Sequence, residues 1–141
     1  MSSSDSRPIE VSAGLLFRNG KLLITQRLAE SHLGGYWEFP GGKREPGETF
    51  QQCLVRELME ELGVRVSVGE LFDEVTHCYP GKTIHLKFFL CQMEKGEPEA
   101  LDCAAIKWIC RTELDEHSFP PADQRVLNKL RRIELWEAAR D

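Results

Sequence analysis

The sequence predicts an α+β sandwich, in which helices cover a β-sheet. Runs of β-favouring residues recur up to about residue 110, a helical apolar pattern interrupts them near residues 50–62, and a second such pattern follows residue 119. An apolar share of 41% and a charged share of 29% are typical of a folded globular domain. We therefore expect one domain over residues 1–141, with residues 1–7 forming a disordered polar tail.

The first strands are predicted to form a hairpin. Ile9 to Phe17 and Leu22 to Thr25 are apolar, β-favouring runs, and Asn19-Gly20 between them is a strong signal for a tight hairpin turn. Residues 28–35 are predicted to form a loop. Trp37 to Pro40 is then predicted as a short strand that leads into the flexible Gly41-Gly42 corner.

A central helix is predicted to follow this glycine corner. Gly47 and Thr49 suit its start, and Gly63 suits the left-handed residue that ends a helix. Its apolar residues fall on one arc that is expected to pack against the core, namely Leu54, Val55, Leu58, Met59 and Leu62.

More strands and a final helix are predicted after residue 63. The strands are residues 64–68, a weaker one at 70–77, a long one at 83–93 and a short one at 106–109, with a turn at 79–82 and a loop through residues 95–102. The final helix begins within residues 119–123, where proline fits a first turn. Its expected apolar residues are Val126, Leu127, Leu130, Ile133 and Leu135, and its expected solvated cations are Arg125, Lys129, Arg131 and Arg132.

Composition excludes several classes of function. A net charge of −5 argues against general affinity for nucleic acid polymers, and no apolar run is long enough to span a bilayer. The N-terminus lacks the apolar core of a signal peptide, so a cytoplasmic location without membrane partners is expected. Five cysteines without a C-x-x-C pair are predicted to be free thiols: Cys53, Cys78, Cys91, Cys103 and Cys110.

Three glutamates of the central helix point to a metal site. Glu57, Glu60 and Glu61 are related as i, i+3 and i+4, so their carboxylates emerge on one side and repel one another. A hard divalent cation such as Mg²⁺ would offset this repulsion and leave coordination positions for water and phosphate. The alternative is a solvated acidic helix face that Arg56 balances in part.

A longer pattern surrounds these glutamates. Gly42 is followed after five residues by Glu48, and after seven more by the run Arg56 to Val64. This spacing resembles the complete signature of the Nudix hydrolases. The resemblance implies an α/β/α sandwich with a mixed sheet, flanked by the signature helix and the C-terminal helix. It also implies hydrolysis of a nucleoside diphosphate linkage with Mg²⁺, for which Mn²⁺ can substitute.

The resemblance also assigns catalytic roles. It implies metal ligands from the Gly41 carbonyl, Glu57, Glu60 and Glu61, and Arg56 is expected to orient Glu57. Glu57 is the candidate general base, and Glu48 is expected to anchor the loop. Among the acidic residues of the 95–102 loop, which also include Glu97 and Glu99, Asp102 is favoured as a further ligand or base; the alternative is a solvated loop carboxylate.

The segments Trp37 to Lys43 and Phe119 to Ala122 resemble the MutT-like subgroup, which removes oxidised guanine nucleotides such as 8-oxo-dGTP. This implies a nucleoside triphosphate as the small-molecule partner of a monomer or homodimer. Core packing remains an alternative for Phe39 and Tyr79, and solvation for Arg27. The implied nucleotide contacts are Arg27, His32, Glu38, Phe39, Pro40, Gly41, Tyr79, Lys82 and Asp123.

Asp123 departs from the MutT-like pattern, which has asparagine at this position. An ionised carboxylate only accepts hydrogen bonds, whereas an amide both accepts and donates. A Nudix subgroup acting on cytidine and modified pyrimidine nucleotides shares the W-E-F-x-G-G-K and P-A-D segments, so that substrate class stays open. A helix N-terminal carboxylate is a further alternative for Asp123, and a catalytically silent nucleotide-binding module is an alternative for the whole protein.

Overall fold

The computed structural model describes residues 7–134 and residue 136. Within them, seven strands form one mixed sheet: β1 (Ile9–Arg18), β2 (Lys21–Gln26), β3 (Trp37–Glu38), β4 (Gly41–Lys43), β5 (Arg65–Tyr79), β6 (Lys82–Lys95) and β7 (Ala105–Ile109). The strand order is β3-β2-β1-β6-β5, and β4 and β7 pair with β1 and β2. The β1–β6 pair is parallel and the others are antiparallel.

Two helices cover opposite faces of this sheet, α1 (Phe50–Leu62) and α2 (Gln124–Arg132). Because side chains alternate along a strand, Leu15 and Phe88 pack with α2, whereas Leu16 and Phe89 pack with α1. Two 3₁₀ turns, Arg111–Glu116 and Pro121–Asp123, precede α2. The predicted α/β/α sandwich is confirmed. No described helix is long and apolar enough to cross a membrane.

Helix α1 begins and ends where the sequence predicts. Thr49 and Gln52 form a reciprocal capping box, and Gly63 closes the helix with φ of 73°. Leu54, Leu58 and Leu62 are fully buried, but the prediction was wrong for Val55 and Met59, which are 38% and 48% exposed. The sheet covers a narrower stripe of the helix than the apolar arc suggests, because Cys53 and Glu61 occupy the adjoining buried positions.

The hairpin predictions are confirmed, with one change. Asn19 and Gly20 both have positive φ, and Pro80-Gly81 joins β5 to β6. The separate strands predicted at 64–68 and 70–77 are one strand, β5. Its register with β6 shifts around Leu71, which interrupts the alternation without ending the pairing.

The predicted glycine corner is in fact strand β4. Gly41 and Gly42 are extended and pair with Ala13 and Ser12 of β1. Glycine is required at Gly41 for space, because a Cβ there would lie 1.9 Å from the Ser12 carbonyl oxygen. The backbone of this segment is therefore held by the sheet.

The final helix starts later than predicted, at Gln124, because the proline-rich segment forms a 3₁₀ turn first. Val126, Leu127 and Leu130 are buried as expected. Ile133 is the residue after the helix. Leu135 and residues 1–6 of the predicted tail lie outside the described residues, and all five cysteines are free thiols.

Candidate active site

A cavity of about 600 Å³ opens at one end of the sheet. Its floor consists of alternate residues of two paired parallel strands, β1 and β6, in the register Ile9–Ile84, Val11–Leu86 and Ala13–Phe88. Around this apolar floor the structure brings together ten of the predicted site residues: Arg27, His32, Glu38, Phe39, Gly41, Glu57, Tyr79, Lys82, Asp102 and Asp123. The size lies within the range of pockets that enclose a small molecule.

Glu57 and Asp102 line the cavity, and Glu61, which does not line it, is buried beside Gly41 of the cavity wall; we call these three carboxylates the acidic end. Glu61 is 8% exposed, and its Oε1 accepts a hydrogen bond from the Gly41 amide at 3.2 Å. Burial, followed by the charge of Glu38, raises the pKa of Glu61 to about 8; Glu57 and Asp102 act in the same direction. Burial also raises the pKa of Glu57. Several carboxylates therefore lie close enough together for their negative charges to oppose the ionisation of Glu61.

Arg56 does not line the cavity, but it binds the carboxylates of Glu48 and Glu57. Its guanidinium donates to both oxygens of Glu48, at 2.7 and 3.2 Å, and to Glu57 Oε2 at 2.8 Å. The hydrogen bonds from Arg56 lower the pKa of Glu48 to about 2. Arg56 also donates to the Lys43 carbonyl at 3.1 Å, so it connects α1 to β4. This arrangement fixes one oxygen of Glu57.

The glycines of β4 allow this close packing. A Cβ on Gly42 would lie 2.2 Å from the Cδ and Oε1 atoms of Glu57. The Cys53 thiol donates to the Gly42 carbonyl at 3.4 Å, and the Ser12 hydroxyl donates to the Phe50 carbonyl at 2.7 Å. The start of α1 is therefore attached to β1 and β4 by contacts that the sequence pattern did not reveal.

The 95–102 loop delivers one acidic residue to the cavity. Asp102 lines it, and its amide donates to the Glu61 carbonyl at 3.2 Å. Glu97 instead forms a two-bond ion pair with Arg18, at 3.0 Å each, and the Glu99 amide donates to the Leu62 carbonyl at 3.0 Å. Asp102 is thus the one member of this acidic set that faces the cavity, in agreement with the residue that the sequence favoured.

The cavity is also lined by Asp123, which is 5% exposed and makes no capping bond to α2. Burial, followed by the charge of Glu38, raises the pKa of Asp123 to about 8, and Arg27 opposes this shift. Arg27 Nη1 donates to Glu38 Oε1 at 2.8 Å, and its Nε donates to the His32 carbonyl at 2.6 Å. Glu38 lines the cavity too, and its charge raises the pKa of both Glu61 and Asp123.

Aromatic rings form the cavity mouth. Tyr79 contacts His32 edge-to-face with centroids 5.6 Å apart, and Lys82 Nζ lies 5.9 Å from the Tyr79 ring centroid. His77 does not line the cavity but packs on Tyr79, with ring centroids 4.6 Å apart, so it supports Tyr79 from behind the wall. It is two residues from Tyr79 on β5, and strand alternation is the signal that could have revealed this contact, which the sequence interpretation missed.

Not all predicted residues face the cavity. Phe39 is 3% exposed and stacks on Phe119, so it serves the core as well as the wall. The buried Pro40 uses its carbonyl to accept from the Gly14 amide. Glu60 is an exposed residue 3.4 Å from Arg56 and does not line the cavity.

Within the described residues, no group of three or more acidic, histidine or cysteine side chains is already arranged to hold a metal ion. The donor set nevertheless fits a hard divalent cation. Glu57, Glu61 and Asp102 supply carboxylate oxygens, and the charges of Glu57 and Asp102 oppose ionisation of the buried Glu61. A bound divalent cation would offset these negative charges.

Comparison with known proteins identifies the class. A family model described as NUDIX domain matches residues 12–129, so the chain belongs to the NUDIX domain family. Over 128 residues it is 35% identical to the 8-oxo-dGTP diphosphatase of Escherichia coli strain K12, covering 90% of this chain and 99% of that protein. The resemblance to MutT-like Nudix hydrolases is confirmed.

Two further relatives are similar over most of their length. The CTP pyrophosphohydrolase of Escherichia coli strain K12 is 41% identical over 119 residues, covering 84% of this chain and 88% of that protein. The solution structure of the E. coli ORF135 protein has a TM-score of 0.76 and 37% identity, covering 91% of each chain.

Proposed function

We propose that this protein is a Mg²⁺-dependent nucleoside triphosphate pyrophosphohydrolase that converts oxidised nucleotides such as 8-oxo-dGTP to the monophosphate and pyrophosphate. One observation carries the proposal. One cavity is lined both by carboxylates that can hold a metal ion, Glu57 and Asp102, and by the buried, hydrogen-bonding Asp123. A nucleoside triphosphate carries both matching groups, because its phosphates bind a metal ion and its base forms hydrogen bonds.

Glu57, Glu61 and Asp102 would hold the metal, together with the Gly41 carbonyl and Glu60. Mg²⁺ would polarise the phosphate oxygens and lower the pKa of an attacking water, and Mn²⁺ can take its place. Glu60 belongs to this set only if its exposed side chain turns toward the ion. The requirement for a divalent cation is general in the family, and the choice of Mg²⁺ rests on the all-oxygen donor set.

The chain's own residues have distinct roles. Glu57 would accept the proton of the attacking water, because it lines the cavity, burial raises its pKa, and Arg56 holds its Oε2 in place. Arg56 and Glu48 keep this carboxylate in place. Lys82 would contact the negative charge of the substrate. The nucleoside would be enclosed by Arg27, His32, Glu38, Phe39 and Tyr79. Pro40 would shape the backbone behind these residues.

Asp123 supports recognition of a purine base of the 8-oxoguanine type. Because burial favours its protonated form, Asp123 offers one O–H donor and one carbonyl acceptor, which is the hydrogen-bonding pattern of the asparagine that it replaces. The relative named 8-oxo-dGTP diphosphatase, similar over almost its entire length, supports the same substrate.

A cytidine or modified pyrimidine nucleotide is the second candidate substrate. An ionised Asp123 would accept from the exocyclic amine of cytosine. The 41% identity to the protein named CTP pyrophosphohydrolase supports this alternative.

A catalytically silent binding module is a poorer proposal, because it would not need the set Glu57, Glu60 and Glu61. The proposed partner is thus a small nucleotide, bound by a cytoplasmic monomer or homodimer without nucleic acid polymers or membranes.

Steady-state kinetics with Mg²⁺ tests these alternatives. We expect kcat/KM to be largest for 8-oxo-dGTP among 8-oxo-dGTP, dGTP, dCTP, CTP, 5-methyl-dCTP and 2-hydroxy-dATP, with pyrophosphate as a product. A preference for CTP or 5-methyl-dCTP would replace the purine assignment with the second candidate. Nucleotide binding without pyrophosphate release would identify the silent module.

A further inference from the structure

Asp73 is a buried carboxylate that lies outside the cavity. It belongs to β5 and is 9% exposed. Its Oδ2 accepts a hydrogen bond from Arg125 Nε at 3.0 Å and lies 3.9 Å from Lys129 Nζ, while its Oδ1 accepts from the Glu74 amide at 2.9 Å. Both cations belong to α2, so this one carboxylate ties α2 to β5.

Lys129 strengthens the same attachment. Its Nζ donates to the Phe72 carbonyl at 2.6 Å and lies 4.5 Å from the centroid of the Phe72 ring. Arg125 and Lys129 are one helical turn apart, which places both on the side of α2 that meets β5. The expectation that these cations form a simple solvated face was therefore incomplete, although the Arg125 side chain is 69% exposed.

The attachment lies close in sequence to the proposed base-binding residue. Asp123 comes immediately before α2 and two residues before Arg125. Its carboxyl group makes no capping bond, so its position follows from the backbone of the 3₁₀ turn and from the placement of α2. The bond from the Asp123 amide to the Pro120 carbonyl is local, and one hydrogen bond between the Ala122 backbone and Tyr79 connects the turn to β5.

Strand β5 also contributes Tyr79 to the cavity wall. Residues 73, 75, 77 and 79 follow the two-residue alternation of a strand, so Asp73 and Tyr79 lie on the same face of β5. Tyr79 lies within electrostatic range of Asp123 and forms a hydrogen bond with the backbone of the neighbouring Ala122. The placement of Asp123 relative to Tyr79 therefore depends on this bond together with how α2 is seated on β5.

We propose that Asp73 is a positioning residue for base selection: by binding Arg125 and Lys129, it seats α2 on β5 so that Asp123 is held against the base of the substrate. This inference rests on the proposed function, since it assumes that Asp123 contacts the base. Asp73 is buried but its cationic partners are partly or mostly exposed, and ion pairs with exposed partners contribute little to stability. The need to place Asp123 accurately is a reason for the Asp73 contacts that does not depend on stability.

The test compares three single variants. Asp73→Asn and Arg125→Gln each weaken the attachment, and Arg125→Gln is safe for folding because that side chain is mostly exposed. Asp115→Asn is the matched control. It weakens another ion pair of α2, the contact of Arg131 with Asp115 at 2.7 Å, which attaches α2 to the other 3₁₀ turn.

The readout is selectivity, defined as kcat/KM for the best substrate divided by kcat/KM for the poorest, both measured with Mg²⁺. The Tm of each variant is measured in parallel. We expect Asp73→Asn and Arg125→Gln to lower this selectivity by about tenfold, because small misplacements of a contacting group are costly. Asp115→Asn should leave selectivity within about twofold of the wild type. The value of kcat at saturation should change little, because the carboxylate cluster of α1 is not attached through Asp73.

An Asp123→Ala background separates positioning from general destabilisation. If Asp73 acts through Asp123, Asp73→Asn should have no further effect on selectivity in that background. An equal loss of selectivity with and without Asp123, or a lowered Tm with unchanged selectivity, would overturn the inference.

The two proposals can fail separately. A wild-type protein that discriminates between bases through Asp123, with unchanged selectivity in Asp73→Asn and Arg125→Gln, would reject only the role of Asp73. A wild-type protein without base preference would reject the base-binding role of Asp123 and, with it, this inference.

Discussion

At the scale of single residues, two buried carboxylates belong to the site: Asp123 lines the cavity, and Glu61 accepts from the Gly41 amide without lining it. Glu61 and Asp123 are 8% and 5% exposed, and burial is the main cause that raises the pKa of each to about 8. Their surroundings differ, because Glu61 is close to Glu57 and Asp102, whereas Asp123 has Arg27 and Tyr79 nearby. The first set suits a cation, and the second suits a neutral hydrogen-bonding group.

Replacing Glu61 tests the metal assignment. Glu61→Gln removes a charge but almost no volume, so we expect kcat with Mg²⁺ to fall by on the order of 10²-fold or more while the circular dichroism spectrum stays unchanged. Mg²⁺ should raise the Tm of the wild type, because an ion that binds only the folded state stabilises it. This increase should be smaller in Glu61→Gln. The control is Glu94→Gln, which changes an exposed glutamate of β6. Near-normal turnover in Glu61→Gln would reject the role of Glu61.

Asp123 predicts a pH-dependent stability. Its folded-state pKa of about 8 is above the ordinary value of 3.8, so the folded protein binds this proton more tightly than the unfolded chain. The contribution of this bound proton to the free energy of unfolding is fully present below about pH 4, and it is lost as the pH rises toward 8. The Tm of Asp123→Asn should therefore exceed that of the wild type by about 3 °C or more near pH 8. It should match the wild type near pH 4, and a constant difference across this range would contradict the raised pKa.

The same titration should alter base preference. Below pH 8 the carboxyl group donates and accepts, and above pH 8 it only accepts. Base preference is measured as kcat/KM for 8-oxo-dGTP divided by kcat/KM for dCTP. At each pH, the value for the wild type is then divided by the value for Asp123→Asn, and we expect this normalised preference to change near pH 8. This division removes ionisation of the bases themselves, which is common to both proteins. A flat normalised profile would show that Asp123 does not titrate against the base.

At the scale of elements, the contact between β4 and α1 assembles the acidic end. Gly41 approaches the backbone of β1, whereas Gly42 approaches the side chain of Glu57. Two adjacent glycines are therefore required for different reasons. One allows the sheet to form, and the other leaves room for a carboxylate.

This difference predicts opposite phenotypes for the two alanine variants. Gly42→Ala should displace the flexible Glu57 side chain, with a loss of kcat of about tenfold or more and a small change in Tm. Gly41→Ala forces a Cβ against the Ser12 carbonyl and should lower the free energy of unfolding by about 1–3 kcal/mol. Urea denaturation and kinetics of both variants provide the measurements. Equal effects of the two changes on stability would contradict the assignment.

At the scale of the whole molecule, one sheet separates two cores. Leu58 belongs to the core under α1 and Leu127 to the core under α2, and both are fully or almost fully buried. Leu58→Ala and Leu127→Ala should each cost about 2–5 kcal/mol. The costs should add in the double variant, because the two side chains share no packing cluster.

Both single variants should nevertheless unfold in one transition, because the strands between the cores are shared. Urea denaturation followed by circular dichroism and tryptophan fluorescence would test this. Separate transitions for the two probes would show that the cores unfold independently.

Local signals predicted most of the elements. The spacing of Leu54, Leu58 and Leu62, the turn at Asn19-Gly20 and the left-handed Gly63 depend on neighbours in the sequence, so they could be found without the structure. The exposure of Val55 and Met59 could not be found in this way, because the width of the covered stripe depends on how the sheet meets the helix.

The family pattern, the places of β1, β2, β6, β7 and α1 and the acidic residues of α1 can be recognised from the sequence alone. Long-range packing was needed to show that Glu97 pairs with Arg18 and does not line the cavity beside Asp102, and that Asp73 binds the helix that follows Asp123. Helix spacing and turn chemistry act over a few residues, whereas these contacts join positions separated by tens of residues. Their distances are set by packing of the sheet, which local sequence patterns do not specify.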